Sequence, residues 1–166
     1  FLAAALAPLI HRLVGDLSGW VVALVPVAAF IALWPLLERT STGEVVRVAW
    51  PWAPSWGLEL SFLIDGLSLV FALTIAGVGA FVLLYSGAYL KGHRQGRFLG
   101  FLLAFMGAMQ GLVLADNLVA LYLFWELTSV ASFLLIGFDH TRQAARRAAI
   151  QALVVTGLGG LALLAA

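Results

Sequence analysis

The sequence predicts an all-α polytopic membrane protein, a bundle of about six transmembrane helices with one short extracytoplasmic β-hairpin. Three observations carry that prediction. Of 166 residues, 63% are hydrophobic and only 10% charged, whereas a water-soluble chain needs about 25% charged residues to cover its surface. Mean hydropathy is +1.07. The apolar residues fall in long runs without polar alternation, which favours helices over barrel strands, the two architectures that satisfy every backbone group in hydrocarbon. The absence of cysteine removes disulfide frameworks, thiolate metal sites and Cys-linked haem.

A bilayer core takes about 20 apolar residues per helix, so charges and turn residues divide the chain into its elements. The first segment, 1–14, is short, contains Pro8 and runs into His11 and Arg12. It begins with Phe rather than Met and reads as a trimmed first helix; a signal peptide would carry its positive charge before the apolar run, not after it. The second segment, 20–37, carries Pro26 and Pro35, which imply a kink and a tight exit. Residues 38–63 are more polar. Within them 58–62 alternates with period two, and 45–49 is β-branched and partly alternating, which predicts an interfacial hairpin with Trp50, Trp52 and Trp56 at headgroup depth.

Residues 64–90 form a third helix long enough to span with tilt. The fourth, 98–115, and the fifth, 117–137, are separated only by a tight turn at Asp116 and Asn117, so they are antiparallel neighbours. The sixth, 144–166, ends inside an apolar run and looks cut. Small residues recur every four positions, at Ala72, Ala76 and Ala80 and at Gly100, Ala104 and Ala108. Such ridges mark close helix contacts in lipid, or simply reflect how common small residues are in membrane helices.

Charge placement gives an orientation. Arg12, Lys91, Arg94, Arg97, Arg142, Arg146 and Arg147, seven of nine basic residues, fall on one side, and Arg39 and Arg47 on the other. The positive-inside rule makes the first side cytoplasmic and puts the amino terminus and the hairpin outside.

One acid lies deep within a predicted span, away from its ends. Glu126 follows Asn117 by nine residues, so at about 1.5 Å per residue it sits about 13 Å into a core of about 30 Å. An ionisable group near the midplane costs about 2.5–3.5 kcal/mol on insertion scales and by default marks a functional site. The other use of such an acid is to lock two helices by a hydrogen bond. Tyr122 at i−4 and Ser129 at i+3 share its face, and Gln110, Thr156, Thr74 and Gln151 are uncharged polar groups on other spans. They serve either as a proton relay with ordered water or as ordinary interhelical hydrogen-bond partners. His11, His93 and His140 have no metal-ligand spacing, so no metal site is expected. Asp65 and Asp116 stand at helix amino termini and are read as caps. No nucleotide fingerprint occurs, and neither cofactor nor nucleic acid is expected.

The residues Asp65-Gly66-Leu67-Ser68-Leu69, Tyr85-Ser86-Gly87-Ala88-Tyr89-Leu90, Leu114-Ala115-Asp116-Asn117-Leu118 and Phe124-Trp125-Glu126-Leu127-Thr128-Ser129, followed by 132–138, resemble the amino-terminal part of the proton-translocating antiporter-like subunits. These occur in respiratory complex I, membrane-bound hydrogenases and Mrp-type multisubunit sodium/proton antiporters. The Trp-Glu-Leu-Thr-Ser stretch is most similar to the large A subunit of the Mrp type. The resemblance implies a bundle of about fourteen helices in two inverted repeats. It also implies a Glu126 that pairs with a lysine on a later helix; Lys91 is the one lysine here.

The expected function is therefore proton translocation in a multisubunit sodium/proton antiporter of the bacterial cytoplasmic membrane, a secondary transporter subunit and not an enzyme. Its partners would be the other subunits, the bilayer, protons and Na+. A redox-driven pumping subunit of complex I or of a hydrogenase uses Glu126 in the same way. A non-transporting scaffold predicts that Glu126→Gln leaves transport unchanged.

Overall fold

A computed structural model describes residues 1–53, 55, 58–90 and 95–165. Among these, the chain forms α1 (Leu2–Val14), α2 (Ser18–Leu33), α3 (Leu36–Ser41), β1 (Val46–Ala53), β2 (Leu58–Ile64), α4 (Gly66–Tyr89), α5 (Gln95–Val113), α6 (Leu118–Ile136) and α7 (Gln143–Ala165). The expectations for Pro54, Trp56, Lys91, His93 and Arg94 lie outside the described residues.

Among the described residues, five helical stretches are long and apolar enough to cross a membrane, by length and composition alone, the first being the whole run Leu2–Leu33. That run doubles back at Gly15, whose φ of +61° takes the chain out of the helix; glycine adopts this left-handed backbone without a Cβ penalty. His11 Nδ1 and Ser18 Oγ share a 2.9 Å hydrogen bond across the turn. Neighbours on either side fix the directions. Pro8 and His11 of α1 lie against Gly96 of α5, Ala4 against Gly100 and Phe1 against Gly107, so α1 runs antiparallel to α5. Gly19 of α2 lies against Gly87 of α4 and Phe30 against Gly77, so α2 runs antiparallel to α4.

Close approach of backbones holds these pairs, as expected where lipid gives little hydrophobic drive between helices. A Cβ on Gly19 would stand 2.6 Å from the Gly87 Cα. Pro8 has no N–H, which leaves the Ala4 carbonyl without its helical donor; Gly100 packs on that carbonyl, where a Cβ would lie 2.8 Å away. Ala72, Ala76 and Ala80 are buried on α4 and Ala108 on α5, while Ala104 is only half-buried. Val22, Leu83, Leu99, Leu103 and Met106 complete the core of the α1, α2, α4 and α5 bundle, onto which α6 and then α7 pack.

Several boundaries differ from expectation. The segment expected over 20–37 breaks after Leu33 and restarts as the short α3 behind Pro35. The helix expected from residue 64 begins at Gly66, because the alternating stretch continues as strand through Ile64. Asp65 caps α4: its Oδ1 accepts from the Ser68 amide at 2.8 Å, and the Ser68 hydroxyl accepts from the Asp65 amide at 2.9 Å. That reciprocal capping box holds the Asp65 carboxyl below its ordinary range.

The strands pair antiparallel, Val46 opposite Ile64 and Trp50 opposite Leu60, with an irregularity at Pro51–Ala53. Trp50 and Trp52 are exposed. The free edge of β2 docks on the α5–α6 turn: the Leu63 amide donates to the Leu114 carbonyl at 2.8 Å, and the Asp116 amide to the Ser61 carbonyl at 3.0 Å. Here the expected role of Asp116 is corrected. The residue with extended backbone before α6 is Asn117, whose Oδ1 accepts from the Ala120 amide at 2.7 Å. Asp116 instead accepts from Arg47 Nε at 2.5 Å, and that hydrogen bond, followed by the carboxylate charge, raises the Arg47 guanidinium above its ordinary value.

Candidate functional site

Glu126 occupies the middle of α6 and faces α7. Its Oε1 is fully buried and receives no hydrogen bond from the described residues. The surface it meets on α7 is the backbone of Gly160, where a Cβ would come within 2.5 Å of Oε1. The preceding residue, Trp125, donates its indole Nε1 to the Thr156 carbonyl at 3.1 Å. Two helices are thus joined by an indole hydrogen bond directly beside the acid.

The hydroxyls on this stretch turn to the backbone rather than to the carboxyl. Thr128 Oγ1 and Ser129 Oγ both donate to the Trp125 carbonyl, at 2.7 and 3.1 Å, and Thr156 Oγ1 donates to the Ala152 carbonyl at 2.8 Å. Such back-bonding leaves each hydroxyl oxygen free to accept. Ser129 and Thr156 line one cavity of about 260 Å³ among α5, α6 and α7, with Thr128 and Ser132. The cavity opens to the outside of the bundle, and apart from these hydroxyls its lining is mostly apolar. Tyr122 lies one turn before Glu126 and is half-buried; no hydrogen bond joins the two.

Gln110 is not brought to this site. Its Nε2 donates to the Ala72 carbonyl at 2.8 Å, and it lines a separate cavity of about 130 Å³ among α1, α2, α4 and α5. Thr74 and Gln151 are exposed on the outside of the bundle. His11 is spent on Ser18, and the His140 carbonyl accepts from Arg146. Among the described residues, no group of His, Asp or Glu is arranged to hold a metal ion. Sequence reasoning missed Gly160, Thr128 and Ser132, and also Arg47. The Gly159–Gly160 pair inside an apolar helix was the available signal for the first, since paired small residues in a membrane helix announce a close neighbour.

Two family models match the chain. Residues 50–99 match NADH-Ubiquinone oxidoreductase (complex I), chain 5 N-terminus. Residues 115–166, which include Glu126, match NADH:quinone oxidoreductase/Mrp antiporter, TM. The Na(+)/H(+) antiporter subunit A1 of Staphylococcus aureus is 45% identical over 163 residues, 97% of this chain and 20% of that protein. The chain therefore spans about one fifth of the length of such relatives. Among solved structures, the Mrp complex of a Dietzia species contains a chain that superposes with a TM-score of 0.79 at 35% identity, over 98% of this chain and 17% of that one. The membrane-bound sulfane sulfur reductase, an archaeal respiratory membrane complex, shares the fold, with a TM-score of 0.75 at 17% identity over 96% of this chain and 32% of that one. With its apolar helices, the chain is a multi-pass membrane protein.

Proposed function

Because the chain belongs to the antiporter-like family of membrane subunits shared by NADH:quinone oxidoreductase and the Mrp antiporters, we propose that it is part of the A subunit of a multisubunit sodium/proton antiporter, with Glu126 as its proton-handling carboxyl. One observation carries the assignment of Glu126: a carboxylate oxygen, buried in the middle of an apolar helix, that accepts nothing from the described residues. Buried polar atoms are nearly always partnered, and an acid at this depth is costly to keep for packing alone. In this reading its coordination is completed by a proton, a water molecule or a group on a helix beyond the described ones.

This reading places water beside Trp125, where the hydroxyls of Ser129 and Thr156 are polar groups on the wall of an otherwise mostly apolar cavity. Hydroxyls anchored through their hydrogens to backbone carbonyls offer fixed acceptors along that wall. In this role Ser129 and Thr156 are relay residues, and Tyr122 sits at the extracytoplasmic end of the same helix face. Gln110 serves the other bundle through its bond to the Ala72 carbonyl and does not line this cavity. The counter-charge for Glu126 comes from a helix beyond these seven.

The orientation is amino terminus outside, hairpin outside, in the bacterial cytoplasmic membrane, supported by the excess of arginines at the opposite ends of the helices. A redox-driven pumping subunit remains the second reading, favoured by the complex I model over 50–99. The 45% identity to a Na(+)/H(+) antiporter subunit weighs toward antiport. Sodium-dependent proton movement in everted vesicles with an imposed gradient and no electron donor separates the two, because only the antiporter runs without electron transfer. Loss of that movement in Glu126→Gln tests the residue.

A further inference from the structure

We propose that Gly160 on α7 is a positioning residue for Glu126: its missing side chain lets the carboxyl and the neighbouring indole seat against bare backbone. The functional consequence rests on the reading of Glu126 given above, whereas the placement itself does not.

A Cβ on Gly160 would meet three atoms of α6 at once: Glu126 Oε1 at 2.5 Å, Trp125 Cδ1 at 2.9 Å and Trp125 Nε1 at 3.2 Å. The indole donates to the carbonyl of Thr156, one turn before Gly160 on the same face of α7. One turn of α7 thus holds the Trp125–Glu126 pair from both ends, by a hydrogen bond at 156 and by an absent side chain at 160. Gly157 and Gly159 form a contrast, since a Cβ on either meets nothing within 4 Å. Glycine in a helix interior costs about 1 kcal/mol relative to alanine. Of these three, only Gly160 makes a contact that accounts for that cost.

An added methyl would press on two neighbours of unequal give. The indole is rigid and hydrogen-bonded, whereas the carboxyl is the far end of a flexible side chain. Gly160→Ala therefore shifts the carboxyl out of its buried seat while α6 and α7 stay paired.

The direct test is the rate at which dicyclohexylcarbodiimide modifies Glu126 in the intact membrane complex, read by mass spectrometry. We expect Gly160→Ala to raise that rate several-fold and Gly159→Ala to leave it at the wild-type value; equal rates for wild type and Gly160→Ala overturn the proposal. Antiport supplies the second readout. Gly160→Ala should lower the sodium-dependent rate by about tenfold, the order expected when a reacting group is misplaced by a fraction of a bond length or more. In a Glu126→Asp background, where the carboxyl is drawn back by one methylene, the same substitution should cost less than about twofold. A full loss in both backgrounds counts against positioning. If Glu126→Gln antiports at the full rate, the reading of Glu126 fails, and the carbodiimide rate alone decides whether Gly160 seats the carboxyl.

Discussion

Asn117 Nδ2 donates to Ser61 Oγ at 2.8 Å, while Asn117 Oδ1 accepts from the Ala120 amide at 2.7 Å. One side chain therefore starts α6 and fastens the hairpin to it. The same Nδ2 also reaches the Glu59 carbonyl at 2.9 Å, and Ser61 is fully buried. The helix that carries Glu126 is thus located by its own cap.

Asn117→Asp preserves the cap, since Asp and Asn are equivalent there, but supplies no donor. It should cost about 1–2 kcal/mol through the two lost hydrogen bonds, and Asn117→Ala should cost more. Thermal denaturation of the purified protein in detergent measures both; an Asp variant as stable as wild type would remove the hairpin clamp.

The Gly19–Gly87 crossing predicts an asymmetry among glycines. A Cβ at Gly19 meets backbone at 2.6 Å, which cannot yield, whereas one at Gly77 meets the Phe30 ring at 3.4 Å. Gly19→Ala should destabilise by about 1–3 kcal/mol, in the range of overpacked cores. Gly77→Ala should be neutral or slightly stabilising. The comparison is again a thermal midpoint.

Asp65 predicts an acid dependence. The Ser68 amide first, and its hydroxyl second, hold the carboxyl below its ordinary value. A lowered folded pKa contributes stability that is present above the unfolded value, about 3.9, and is lost as pH falls through the folded one. Stability should therefore decline below about pH 4, and Asp65→Asn, which caps without titrating, should flatten that decline. An unchanged slope in the variant would assign the acid loss to another group.

The orientation is testable by cysteine labelling in a subunit freed of any cysteine outside these residues, which themselves contain none. Single-cysteine variants Ser41→Cys, beside the hairpin, and Thr141→Cys, before α7, place one thiol at each end of the bundle. A membrane-impermeant maleimide added to intact cells should label the first and not the second. The reverse pattern would invert the topology.

Much of the fold was legible because its signals are local. Apolar runs between charges mark helices whatever their tertiary partners, and the alternation at Leu58–Phe62 marks a strand at once. The helix after it is expected two residues early because Leu63 and Ile64 suit either structure; the docking of β2 on the Leu114 carbonyl decides the matter, and that is a contact 51 residues away in sequence. Asp116 misled for a similar reason. As a cap it is equal to Asn117 in kind, and only Arg47, brought over by the hairpin, claims it.

The candidate site was legible to the same degree. Glu126 stood out by depth alone, and Ser129 by helical spacing. Gln110 was grouped with them by polarity, which carries no direction; the α4 backbone captures it on the far side of α5. The Gly159–Gly160 pair announces a close neighbour for α7 but not which residue it is, because bare backbone carries no chemistry that names its partner.

The central claim is that Glu126 takes up and releases the transported proton. Its most direct measurement is sodium-dependent pH recovery in everted vesicles carrying the complete complex with Glu126→Gln, at matched expression and assembly. The predicted result is loss of antiport to the level of vesicles lacking the complex, with Glu126→Asp retaining part of the rate. Full antiport in Glu126→Gln would contradict it.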